Sequence, residues 1–147
     1  WCVPRPDTII DTPKAFEASG ALEQIEALIS PALPLGGDAS AMIEPTRALV
    51  AVDVNTGADH SLAAGLKANL KLAQDLPRQL RLRGLAGQIT LDLAPMPKKG
   101  RRRFEDALRR ACRLQGVDMI LAGWTPLGHF ELQMKRDRWP LRELLSA

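Results

Sequence analysis

Seven residues, Ala48-Leu49-Val50-Ala51-Val52-Asp53-Val54, form an almost unbroken apolar run, and Asn55-Thr56-Gly57 ends it abruptly. A short run of this kind with a turn behind it reads as a β-strand buried on both faces. The segment beyond the turn constrains the fold further. Between residues 61 and 82, Leu62, Leu66, Leu70, Ala73 and Leu80 form one helical stripe, with Lys67, Lys71 and Arg78 on the opposite side. Gly84 and Gly87 then lead into a second apolar run, residues 88–93, which Pro95-Met96-Pro97 closes. Strand, long helix, strand is the crossover unit that joins parallel neighbours with a right-handed connection. A chain built around it belongs to the α/β class.

The rest of the chain extends that unit. Pro4, Pro6 and Pro13 make residues 1–14 an extended arm. Residues 16–29 predict a helix with Phe16, Leu22, Ile25, Leu28 and Ile29 on its apolar side, stopped by Pro31 and Pro34. Gly36-Gly37 marks a turn and residues 41–44 a short strand. Pro77 should kink the long helix. After the second strand, residues 101–114 predict a helix that buries Phe104, Leu108 and Ala111. Residues 117–122 and 129–135 read as a closing hairpin, and residues 140–145 as a helical turn. The expected order is β-β-α-β-α-β-β: a mixed sheet with helices packed on it. Residues 1–33 would be an arm and helix, and residues 34–147 the α/β domain.

Charge divides the chain. Residues 1–44 carry seven acids and two bases, residues 45–147 ten acids and eighteen bases. A basic second part points to a polyanionic partner. Two cysteines, Cys2 and Cys112, exclude a zinc finger and a disulfide framework. No apolar run is long enough to cross a membrane, and no signal-peptide pattern is present, so the expected location is the cytoplasm.

Side chains alternate along a strand, so Asp53 and Asn55 share a face at the carboxyl end of the first buried strand. Asp92 holds the same place on the strand after the crossover. Were these strands neighbours, two carboxylates and an amide would converge with only ~5 Å between strands. Open α/β sheets bind ligands at that edge. Two unpaired carboxylates there call for a cation, and few hard oxygen ligands suit magnesium, which keeps most of its water. The alternative is local: Asp53 capping the turn and Asp92 bonded to nearby amides. Around this edge lie Lys98, Lys99, Arg101, Arg102, Arg103, Arg109, Arg110 and Arg113, with Arg78, Arg81 and Arg83 before the strand. They could hold a phosphodiester backbone, or be an ordinary solvated helix face. Trp124 and Phe130 could stack on bases, although core packing is the commoner fate. His60 and His129 are isolated, and no nucleophile–base spacing stands out.

These residues stand in a recognisable order. Residues 43–57, Ile-Glu-Pro-Thr-Arg-Ala-Leu-Val-Ala-Val-Asp-Val-Asn-Thr-Gly, resemble the catalytic core of the ribonuclease E/G family. So do Asn69-Leu70, residues 78–87 (Arg-Gln-Leu-Arg-Leu-Arg-Gly-Leu-Ala-Gly), the Asp92 strand, and Thr125, Gly128, Glu131 and Arg136 near the end. The resemblance runs over residues 33–136. It implies a deoxyribonuclease-I-like subdomain preceded, over residues 1–33, by the tail of a ribonuclease-H-like one, and a magnesium-dependent endoribonuclease that cleaves single-stranded RNA to 5′-phosphate and 3′-hydroxyl ends. It also implies that Asp53 and Asp92 hold the metal with Asn55 close by. The departures are a shortened loop between Asn55 and Asn69, Pro95 where many members carry a further aspartate, Pro77, and Met134 in place of arginine. The family's Cys-Pro-x-Cys zinc link between protomers is absent from these residues, so a homo-oligomer would need another contact. The other reading is a non-catalytic RNA-binding or scaffold module derived from such an enzyme.

Overall fold

The computed structural model describes residues 4–146. The start of the expected arm, with Cys2, lies outside them; residues 4–14 form no helix or strand and are exposed. Gly20, at a φ of 69°, divides the expected first helix into α1 (Ala15–Ala18) and α2 (Ala21–Ile29). Only glycine adopts that left-handed backbone at little cost.

Six strands follow with two long helices between them. They are β1 (Ala32–Gly36), β2 (Ala39–Pro45), β3 (Val50–Asn55), α3 (Leu62–Arg83), β4 (Gly87–Asp92), α4 (Lys98–Gln115), β5 (Met119–Trp124) and β6 (Phe130–Met134). A short α5 (Leu141–Ser146) closes the described chain. The sheet order is β1-β2-β3-β4-β6-β5, with β3 and β4 parallel and every other neighbouring pair antiparallel. This is the mixed α/β sheet read from the pattern, with one strand more. β1 was hidden because Pro34 reads as a breaker. It sits in an edge strand, where proline is tolerated, while Leu33 and Leu35 on either side are buried.

The sheet corrects the expectation of a strand buried on both faces. In β3, Val50, Val52 and Val54 are buried, whereas Asp53 and Asn55 are exposed and Ala51 half-buried. Leu33 and Leu35, Ala41 and Ile43, Ile89 and Leu91, and Phe130 and Leu132 share the buried face with these valines. Leu72, Leu76 and Leu80 of α3 and Phe104 and Leu108 of α4 complete that single core. Each fully buried side chain of this size contributes ~1.5–3 kcal/mol relative to exposure. The other face carries Met42, Ala51, Thr90 and a row of polar residues. The apolar run is explained by Ala51, which is small enough to sit on an open face beside aspartate.

α3 continues through Pro77, where the kink is expected, and the residue is buried. The first hairpin strand runs later than expected: β5 reaches Trp124, with a bulge between Leu121 and Gly123, while β6 lies within its expected span.

Candidate functional site

Parallel pairing of β3 with β4 places Asp53 opposite Asp92, at the carboxyl ends of both strands and on the open face. The two carboxylates therefore stand about one strand spacing, ~5 Å, apart at the backbone. Pairing of β2 with β3 puts Met42 beside Asp53 and Ser40 beside Asn55. On the far side, His129 immediately precedes β6, and its Nε2 lies 3.7 Å from Asp92 Oδ1. Reading residues in isolation missed His129, because a partner one strand away depends on β6 pairing with β4 rather than on spacing.

The loop after β3 is built from local caps. Asn55 Oδ1 accepts the Gly57 amide at 2.7 Å, Asp59 Oδ1 accepts Ser61 at 2.9 Å, and Ser61 Oγ accepts Ala64 at 3.1 Å, capping α3. The Ser61 backbone amide, then its hydroxyl, hold the Asp59 carboxyl below the usual carboxylate range. The turn-capping role conceivable for Asp53 thus falls to Asn55. Among the described residues neither Asp53 nor Asp92 accepts a backbone amide.

The edge is wetter than expected: the Asp92 side chain is 67% exposed. Like charges on directly opposite residues of one sheet face disfavour each other in general, and a cation between them would offset that. The donor set also restricts which cation. Among the described residues no group of three or more His, Cys, Asp or Glu side chains gathers to hold a metal. Closed transition-metal sites need three or four such ligands. Two carboxylates on an open face fit magnesium, which binds through one or two carboxylates and keeps several waters.

The basic cluster separates into two places. Lys98 and Lys99 open α4, just beyond Asp92, and Arg101, Arg102 and Arg103 follow in the next turn; all five are exposed. Cations in a first helical turn oppose the helix dipole, and no acidic residue offsets them there. A bound anion would. Arg101 lies over the Trp124 ring, 4.3 Å from its centroid, and Trp124 Nε1 donates to Glu105 Oε1 at 2.7 Å. Trp124 packs edge-on against Phe104 and Phe130, and Phe130 is fully buried, so these rings close the core rather than offering a stacking platform. Arg109, exposed and 3.8 Å from Glu105, and Arg113 lie further along α4. Counted from Lys98 they are ~16–22 Å down the axis.

Arg78, Arg81 and Arg83 stand at the far end of α3, beside the opposite edge of the sheet. Arg78 is exposed. Arg81 Nη2 donates to Gln115 Oε1 at 3.3 Å. Arg83 is a correction to the phosphate-binding set. It is 5% exposed, its Nε donates to Gln79 Oε1 at 3.2 Å, and its Nη1 donates to the Ser30 carbonyl. Burial pushes its guanidinium down from its ordinary value. It ties the end of α2 to α3.

One further polar side chain belongs to the site's support. Asn69 of α3 is wholly buried and bonds both backbone groups of Ala94, two residues beyond Asp92.

The profile of the Ribonuclease E/G family matches residues 7–138. Ribonuclease G of Salmonella typhimurium (strain SL1344) is 30% identical over 138 residues, 88% of this chain and 28% of its own length. The chloroplastic ribonuclease E/G-like protein of Arabidopsis thaliana is 36% identical over 131 residues, 84% of this chain and 13% of its own length. Ribonuclease E of Escherichia coli (strain K12) is 35% identical over 125 residues, 77% of this chain and 12% of its own length. The chain thus spans well under a third of each of these relatives.

Proposed function

The chain belongs to the ribonuclease E/G family, and from that membership we propose that it carries the metal-dependent cutting centre of an endoribonuclease acting on single-stranded RNA. The observation that carries the reading is the register of one parallel pair, Asp53 opposite Asp92 on an open sheet face. Asp53 and Asp92 would hold magnesium. Bound there, the ion would neutralise charge at a phosphodiester and acidify a water; attack of that water on phosphorus with departure of the 3′-oxygen would give 5′-phosphate and 3′-hydroxyl ends.

The remaining steps fall to this chain's residues. Lys98, Lys99, Arg102 and Arg103 draw the RNA backbone to the carboxylate edge and set its height above the sheet. Asn55, whose side-chain oxygen is occupied by Gly57, keeps its amide hydrogens for a phosphate oxygen. His129 presents a further polar edge beside Asp92. Contacts of this kind reach phosphates and not base edges, so capture by this part alone is sequence-tolerant.

The test is cleavage of a single-stranded RNA over a magnesium titration, with end analysis of the products. Magnesium-dependent cuts bearing 5′-phosphates support the reading. Salt-sensitive binding without cleavage at any magnesium concentration overturns it and leaves a non-catalytic RNA-binding module.

A further inference from the structure

Residues 93–97 connect β4 to α4, with Asp92 before them and Lys98 after them. Two residues of α3, one turn apart on the same face, grip this connector. Asn69 Nδ2 donates to the Ala94 carbonyl at 2.8 Å, and its Oδ1 accepts the Ala94 amide at 3.1 Å. At Gly65 a Cβ would stand 1.9 Å from the Pro95 carbonyl oxygen, so helix and connector meet backbone to backbone.

An amide in an apolar core is costly unless its partners are all present. Leucine would occupy the same space without that requirement. The reason for an amide lies in the strand it meets. β4 pairs with β3 only as far as Asp92 and with β6 only as far as Leu91. Ala94 therefore lies past its last strand neighbour, and Asn69 supplies one donor and one acceptor in place of a strand.

We propose that Asn69 and Gly65 form a positioning latch for the carboxylate site. They fix the direction in which the chain leaves Asp92, and with it the spacing between the Asp53–Asp92 pair and the cations that open α4. Neither residue touches metal or substrate. The proposal rests on the reading of Asp53 and Asp92 as the metal-holding pair.

The test compares the full chain with Asn69→Leu, which removes both hydrogen bonds, and Gly65→Ala, which retains the Asn69 amide but displaces Pro95. Manganese binding, read by electron paramagnetic resonance of the free ion, is measured beside RNA cleavage over a magnesium titration. Outer-shell substitutions typically cost ~10–100-fold in metal affinity or activity. A rise of that size in metal half-saturation is expected for both variants, with kcat partly restored by excess magnesium. Leu80→Ala, a core truncation near the other end of α3, is the control. It lowers stability and leaves the half-saturation unchanged when measured below unfolding.

Unchanged metal affinity in the latch variants overturns the proposal alone, provided Asp53→Asn loses the metal in the same assay. Retention of manganese by Asp53→Asn overturns the carboxylate reading, and the latch with it. Should Asn69→Leu fail to fold, Gly65→Ala decides by the same criteria.

Discussion

At the carboxyl ends of β3 and β4 the sheet shows Asp53, Asn55 and Asp92 to water, with the free cations of α4 just beyond. At the other end, where α3 finishes, Arg81 and Arg83 are drawn into ties while Arg78 stays exposed. Arg83 is buried against Gln79 and Ser30, Arg81 bonds Gln115, and a groove of about 640 Å³ is lined by Leu28, Ile29, Ile43, Leu85 and Leu141 among others. That groove and the Asp53–Asp92 pair therefore sit at opposite ends of the sheet. Arginines only a few residues from the same strand serve as ties at one end and stay available at the other. Residue type and sequence proximity do not distinguish these uses; what each guanidinium finds within hydrogen-bond reach does.

The largest effect that would test this contrast is at the open end. Asp53→Asn or Asp92→Asn should lower RNA cleavage by more than the ~100-fold that marks the upper range for an outer-shell partner. Circular dichroism and the melting temperature should stay close to wild type, since both side chains are exposed. A mutant that keeps its rate in excess magnesium would remove the site from this end.

At the closed end the same class of change should act on stability. Arg83→Ala leaves the Ser30 carbonyl and Gln79 without their donor, at a cost of ~1–3 kcal/mol. Denaturant unfolding measures it. The salt dependence of RNA binding should not move, and a loss of affinity without a loss of stability would return Arg83 to the phosphate-binding set.

Within α4 the contrast becomes finer. Replacing Lys98, Lys99 and Arg102 by Ala should flatten the log–log salt slope of RNA binding by about 2, at ~0.7 per contact with a single strand. Replacing Arg109, Arg110 and Arg113 should flatten it less, because they lie about three turns further from the carboxylates. Equal slopes would mean that RNA follows the whole helix.

The smallest effect concerns the loop that leads into α3. Ser61→Ala removes the cap on Ala64 and should cost ~1 kcal/mol. Asp59 adds a pH dependence. Its carboxyl is lowered by Ser61, so its contribution is complete above the ordinary carboxylate range. It fades as pH falls through the lowered value. Asp59→Asn should make the acid side of a stability–pH curve shallower.

Local spacing carried much of this. Period two placed Asp53 and Asn55 on one face, period 3.6 marked α3 and the core side of α4, and the strand–helix–strand order required a parallel pair. All of these follow from backbone geometry repeated over a few residues, which a sequence records directly. The family resemblance, resting on ordered motifs, was legible in the same way. Other features were not local. β1 contradicts its own proline and exists because Leu33 and Leu35 find a buried face beside β2. The open face could not be told from a covered one, because Ala51 fits either. The in-register meeting of Asp53 with Asp92, the entry of β6 beside β4 that brings His129 to the site, and the burial of Arg83 were decided by tertiary packing. Each depends on which distant element fills the neighbouring space, and that is settled by the core as a whole rather than by any stretch of chain.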